Sequence, residues 1–204
     1  MSSETKEIKV NKGTGAGGAN TNKNGLPYEE LTDLKTEYSL IEENKHSKNI
    51  NFVNSNKLFI TTKKGDFFKC LKQNDIIIDY NKREGTVTIL EKKIEVVLNM
   101  AHGCKNPDEC FIDKDNKRIF IIEKKFQQVS GSVCEKIQTP KFKVWQYNRL
   151  LPKYKIVYMY CLSEWFKENC KAELEYLKEE KIPVFWGNDN EYKNKLVNFL
   201  INYK

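Results

Sequence analysis

Apolar positions recur along the chain in three successive rhythms. In the first, Leu31, Leu34, Tyr38 and Ile41 fall at helical spacing, which predicts an amphipathic helix over about residues 27–43. Pro27 suits its first turn, and Glu29 and Glu30 would complement its dipole there. The second rhythm is short and strand-like. Phe68 to Leu71 and Asp75 to Tyr80 are brief apolar runs. Thr86 to Leu90 and Ile94 to Met100 flank Glu91-Lys92-Lys93 and read as a hairpin. Glu109 to Ile112 and Arg118 to Glu123 flank Asp113-Lys114-Asp115-Asn116-Lys117, a strong turn composition, and read as another. The third rhythm, from residue 130, alternates helix and strand. Ser132-Val133-Cys134-Glu135 forms a capping box, predicting a helix that is interrupted or ends near Pro140. Lys155 to Leu162 reads as a buried strand. Ser163 can cap a helix over Glu164 to Lys181, with Phe166, Cys170, Leu174 and Leu177 on one face. Ile182 to Trp186 is a further strand ended by Gly187, and Glu191 to Tyr203 a last helix. The order predicts an α/β fold, a mixed central sheet flanked by helices on both faces.

Length and composition narrow this to one domain. The chain has 204 residues, 39% hydrophobic and 31% charged, enough for a single core. Residues 1–12 read as a polar flexible tail without the apolar stretch of a signal peptide, and 13–204 as one domain. A mean hydropathy of −0.67 and no apolar run near 18 residues exclude a transmembrane helix. Six scattered cysteines then read as free thiols in a reducing, cytoplasmic setting. The net charge of +7 permits a polyanionic partner without demanding one. The glycines of Gly13 to Gly25 precede no Gly-Lys-Ser/Thr, so this is not a P-loop and reads as a flexible loop.

The segment from Pro107-Asp108 to Glu123-Lys124-Lys125 carries the candidate chemistry. With the turn centred between Asp115 and Asn116, partners across the hairpin have numbers summing to 231, so Asp108 faces Glu123. Opposed residues of an antiparallel pair project to one side, about 4.5–5.5 Å apart. Lys125, two residues beyond Glu123, shares that side. Ile119 to Ile122 is continuously apolar, as in a strand buried on both faces, and the charged end breaks that pattern. Two opposed carboxylates repel unless cations hold them; Lys125 supplies one and a divalent metal would supply the rest. Asp79 with Glu91-Lys92-Lys93 spells a similar pattern, but no Pro-Asp precedes it and Glu91 lies at a hairpin tip. His102, Cys104 and Cys110 do not have a usual zinc spacing. Trp145, Tyr147, Tyr154, Tyr158, Tyr160 and Trp165 read as core rather than as base-stacking platforms.

Pro107-Asp108 and Glu123-Lys124-Lys125 resemble the bipartite motif of the PD-(D/E)xK nuclease superfamily, and more narrowly of its type II restriction endonucleases. Asn20 to Glu29 is similar to the segment that opens the first helix in some of those enzymes. Gln127 to Thr139 is similar to their post-catalytic turn and helix, with Cys134 where Asp is more usual, and Ile182 to Gly187 to a late core strand. The resemblance implies a restriction-endonuclease-like core and Mg²⁺-dependent cleavage of double-stranded DNA at a short palindromic site. It also implies a homodimer, and a cognate DNA methyltransferase encoded nearby. Asp108, Glu123 and the backbone carbonyl of Lys124 would ligate metal, Lys125 would position or activate water, and Glu29 would be an additional carboxylate. Lys23, Asn24, Gln127, Gln128, Lys136 and Gln138 are candidate DNA contacts: Gln prefers adenine edges, and a capped helix N-terminus after residue 132 could receive a phosphate. For Lys23 and Asn24 the alternative is a turn before the helix, and for Lys136 and Gln138 a solvated helix face. Two other functions stay open: a superfamily nuclease without base specificity, and a nucleic-acid-binding domain without activity.

Overall fold

The computed structural model describes residues 19–62, 65–76, 106–129 and 133–204, with side chains from residue 25 onward. Among the described residues, seven strands form one sheet: β1 Tyr38–Glu43, β2 Ser47–Phe52, β3 Leu58–Thr62, β4 Glu109–Asp113, β5 Arg118–Lys125, β6 Lys155–Leu162 and β7 Val184–Trp186. The helices among the described residues are α1 Ala19–Leu31, α2 Phe67–Gln73, α3 Pro140–Leu150, α4 Trp165–Asn169, α5 Lys171–Glu179 and α6 Tyr192–Asn202, with 3-10 turns at Leu34–Glu37 and Cys134–Ile137. Strands lie side by side in chain order. They are antiparallel from β1 to β5 and parallel from β5 to β7. Among the described residues no helix is long and apolar enough to cross a membrane.

Strict alternation along β5 and β6 builds two cores. Ile119 and Ile121 pack with Cys110, Ile112, Tyr158, Tyr160 and Leu162 against α2, α3, α4 and α5. Phe120 and Ile122 pack with Phe52, Phe59, Phe111, Met159 and Cys161 against α1 and α6. Helices therefore cover both faces, as the pattern predicts, and the near-continuous apolar run of β5 follows from burial on both sides. Each such side chain contributes about 1.5–3 kcal/mol on burial. The hairpin register is the one the turn composition demands: Glu109 pairs Ile122 and Asp113 pairs Arg118. Buried Asp113 fixes the turn, its Oδ1 accepting the Asn116 N–H at 3.0 Å.

Several boundaries depart from the sequence pattern. The helix expected over 27–43 is α1 followed by a 3-10 turn and β1. The Thr32 hydroxyl bonds the Tyr28 carbonyl at 2.7 Å, and the Asp33 carboxylate accepts the Lys35 N–H at 2.7 Å, so local bonds end one element and start the next. Glu29 and Glu30 thus lie in the last turn of α1, where they do not complement its dipole. Phe68 to Leu71 is helical, within α2. Residues 77–80 of the run expected from Asp75, the expected hairpin over 86–100, the Asp79 decoy and His102 with Cys104 lie outside the described residues. So does Ser132. The helix expected there is a four-residue 3-10 turn, and Pro140 begins α3 instead of ending a helix. Proline disfavours helix at the preceding residue but suits a first turn. The helix expected over 164–181 breaks at Cys170, whose non-helical φ of −131° separates α4 from α5. The reading of six free thiols is corrected by a disulfide between Cys134 and Cys170, with Cα atoms 5.7 Å apart. Cys70, Cys110 and Cys161 are free and buried.

Candidate active site

The end of β5 presents different chemistry on its two faces, because alternate side chains point opposite ways. On the Ile119 and Ile121 side stand Asp108, Glu123 and Lys125. The Lys125 ammonium donates to Glu123 Oε1 at 2.5 Å and to the Lys124 carbonyl at 3.2 Å, and lies 3.9 Å from Asp108 Oδ2. The Lys124 N–H donates to that same Asp108 oxygen at 2.8 Å, fixing the carboxylate just beyond the paired end of β4. All three side chains are partly exposed. The geometry drawn from the hairpin register is therefore present: two carboxylates and an ammonium converge at one sheet edge. Tyr158 and Tyr160 lie beneath them, their hydroxyls held well above the usual range by burial, with the charge of Glu123 adding to it.

On the opposite side Lys124 turns inward. Its ammonium lies 2.9 Å from Glu109 Oε2 and donates to the Glu29 carbonyl at 3.2 Å; the side chains of Lys124 and Glu109 are only 3% and 10% exposed. The Leu34 N–H donates to Glu109 Oε1 at 3.2 Å. Burial pushes the Glu109 carboxyl up from its ordinary range, against the pull of Lys124. One residue thus serves both faces. The backbone of Lys124 holds Asp108 and contacts Lys125, while its side chain anchors the strand to the end of α1. The sequence reading passed over this pair, although the register summing to 231 already places Glu109 and Lys124 on one side, away from Asp108.

The backbone carbonyl of Glu29 is held by Lys124 at the end of β5. The helix of Glu29 packs through Tyr28 on the Phe111 and Phe120 side, opposite Asp108 and Glu123. Among the described residues, the one group of three metal-type ligands with atoms within 4.8 Å of one another is Cys134, Cys170 and Glu173, whose sulfurs are bonded to each other.

The loop after β5 is tied down. The Ser163 hydroxyl bonds both the N–H and the carbonyl of Gln127 at 3.1 Å, instead of capping the helix that follows. Gln127 turns its amide back onto the Val129 carbonyl at 2.7 Å, and Gln128 buries its Oε1 with no hydrogen-bond partner among the described residues. Lys136 is exposed, and the Gln138 amide donates to Glu173 at 2.9 Å. A four-residue 3-10 turn offers no helix N-terminus for phosphate. Lys23 and Asn24 lie within α1 instead of a preceding turn, and their side chains are outside the described residues. Of the aromatic residues expected in the core, Tyr147, Tyr158 and Tyr160 are buried, Tyr154 and Trp165 are half-buried, and Trp145 is exposed. Compared with protein-family models, with curated proteins and with solved structures, the chain matches none.

Proposed function

We propose that this chain is a Mg²⁺-dependent, site-specific endonuclease of the PD-(D/E)xK kind, a type II restriction enzyme that cuts duplex DNA as a homodimer. One observation carries the reading: the Asp108 carboxylate, the Glu123 carboxylate and the Lys124 carbonyl converge around a single cationic group, the Lys125 ammonium. Three hard oxygens gathered about one positive charge are a donor set that suits Mg²⁺. Asp108, Glu123 and the Lys124 carbonyl would hold the ion. When bound, it supplies a water of lowered pKa and stabilises charge on the phosphoryl group. The chain's own residues do the rest. The Lys124 N–H keeps Asp108 aimed at the site. Lys125 neutralises two carboxylates that would otherwise repel, orients the attacking water and offsets the charge of the phosphate. The mixed sheet with helices on both faces supports a restriction-endonuclease-like core around this edge. Base contacts would give site specificity, and lysine contacts to phosphates would make affinity fall steeply with salt.

The test is a digest of unmethylated plasmid DNA with and without Mg²⁺, alongside Asp108→Ala. Discrete bands that require both the metal and Asp108 are expected, and sequencing their ends gives the site. A metal-dependent smear would assign the same chemistry to a nuclease that ignores base sequence. No cleavage by folded protein at any Mg²⁺ concentration would leave the acidic edge a structural charge group. A DNA methyltransferase gene beside this one is the expected genomic companion.

A further inference from the structure

Phe142 and Trp145 are the only exposed large aromatic side chains among the described residues, at 55% and 51% of full exposure. Both lie on α3, one turn apart, so they share a face with Arg149. Their rings stack, with centroids 5.6 Å apart and planes 22° from parallel. The Arg149 guanidinium lies over the Trp145 ring, 5.0 Å from its centre. The opposite side of the helix is committed to the core through Tyr147 and Leu150. Among the described residues, nothing in the packing calls for two stacked aromatic rings in water.

We propose that this outer face of α3 is a stacking platform for unpaired nucleic-acid bases. Every base has a flat π-face, and stacking on an aromatic side chain needs no particular sequence. A guanidinium in line with the rings adds a second planar surface and a charge for the neighbouring phosphate. The charge pattern selects this occupant. α3 carries Lys143 and Arg149 and no acidic residue, in a chain of net charge +7, while its Lys141 is paired with Glu180 at 2.6 Å. A second copy seated symmetrically on this face would set those cations against themselves. A single-stranded polyanion meets Lys143 and Arg149 with opposite charge, and its bases can extend the existing stack of Phe142, Trp145 and Arg149. The proposal does not rest on the nuclease reading, since stacking requires no metal.

The test is fluorescence anisotropy of labelled 20-nucleotide DNA, as a single strand and as a duplex, with the full chain in EDTA. Phe142→Ala and Trp145→Ala are each expected to weaken single-strand binding about tenfold while changing duplex binding less than twofold. Trp145→Phe should retain binding, and Trp145→Leu, apolar but not aromatic, should lose it. Exposed side chains make these variants tolerable to the fold, which circular dichroism and unchanged thermal melting would verify. Unchanged single-strand affinity in the alanine variants would overturn the proposal. So would equal losses for duplex and single strand. Sedimentation showing that the variants only dissolve a dimer, with binding intact, would assign the face to self-association instead.

Discussion

Replacing Glu109 by glutamine probes the buried pair beneath the acidic edge. At 2.9 Å, the attraction between Lys124 and Glu109 is about 6 kcal/mol at an effective dielectric of 20. Desolvation takes most of this back, at several kcal/mol per ion, so the intact pair contributes little net stability. The single substitution is different. It leaves an ammonium that is only 3% exposed with the Glu29 carbonyl and a neutral amide for partners. Breaking one side of such a pair costs about 3–5 kcal/mol, against a total of roughly 5–15 kcal/mol for a typical domain. Glu109→Gln should therefore lower the urea midpoint sharply at unchanged slope, followed by tryptophan fluorescence at neutral pH. The double variant Glu109→Leu with Lys124→Met removes both charges and should regain most of that loss. A loss below about 1 kcal/mol for the single variant, or a double variant no more stable than it, would refute the argument that uncompensated charge is the cause. The same substitution should weaken any Mg²⁺-dependent cleavage, because the Lys124 N–H that fixes Asp108 belongs to the strand this pair anchors.

Four further outcomes are expected. Lys125→Ala leaves Asp108 and Glu123 without their shared cation, so Mg²⁺ should raise the melting temperature of this variant more than that of the wild type. Equal response, or none in either protein, counts against a metal at this edge. Gly187→Ala should destabilise the fold by about 1–3 kcal/mol: a Cβ there meets the Tyr28 hydroxyl at 2.2 Å and Thr32 Cγ2 at 2.6 Å, and an unshifted melting curve would disprove that crowding. Reducing the Cys134–Cys170 disulfide reopens a loop of 36 residues and should cost up to about 4 kcal/mol. Thiol counting in denaturant should find two more thiols after reduction than before, and an unchanged count would contradict the bond. Burial, with Asp33 and Glu109 adding, pushes the Tyr38 hydroxyl up to about 12, above the ordinary value near 10. The unfolded chain therefore loses this proton first, so stability falls as pH rises from about 10 towards 12. Tyr38→Phe should soften that alkaline fall in urea midpoints, and an unaltered profile would show Tyr38 to be uninvolved.

What could be read from the sequence tracks how locally each feature is determined. The hairpin from Asp108 to Lys125 was legible because a five-residue turn and an isoleucine-rich strand fix its register on their own. β6, β7 and α6 were legible for the same reason: their apolar positions match a single period. The first three strands were not. β1 lies inside the coincidental helical spacing of Leu31, Leu34, Tyr38 and Ile41, although Ile41 proves to be exposed, and in β2 only Ile50 and Phe52 are apolar, too few to mark a strand. The break at Cys170 and the disulfide depend on a meeting of segments 36 residues apart, which no local pattern encodes. The Glu109–Lys124 pair fell between these cases. Its placement followed from the register, but its burial required α1 and the 3-10 turn at Leu34 to close over it.

The chain-order succession of strands bears on how the protein comes into being during translation. A sheet whose strands neighbour one another in the order they are made can grow from one edge as the ribosome delivers them. The acidic hairpin is then assembled before its outer flank exists. Until residues 155–162 arrive, β5 ends the sheet with an unpaired backbone edge, an invitation to pair with another chain. At 5–20 residues per second that interval lasts roughly 2–7 seconds. Throughout it, Lys125 lacks the Ser163 N–H that later binds its carbonyl at 3.1 Å. The same delay postpones a finished acidic edge until its supporting strand and loop are in place. A chain that folds as it is made would therefore pass through a brief stage in which the exposed edge of β5 invites misassembly.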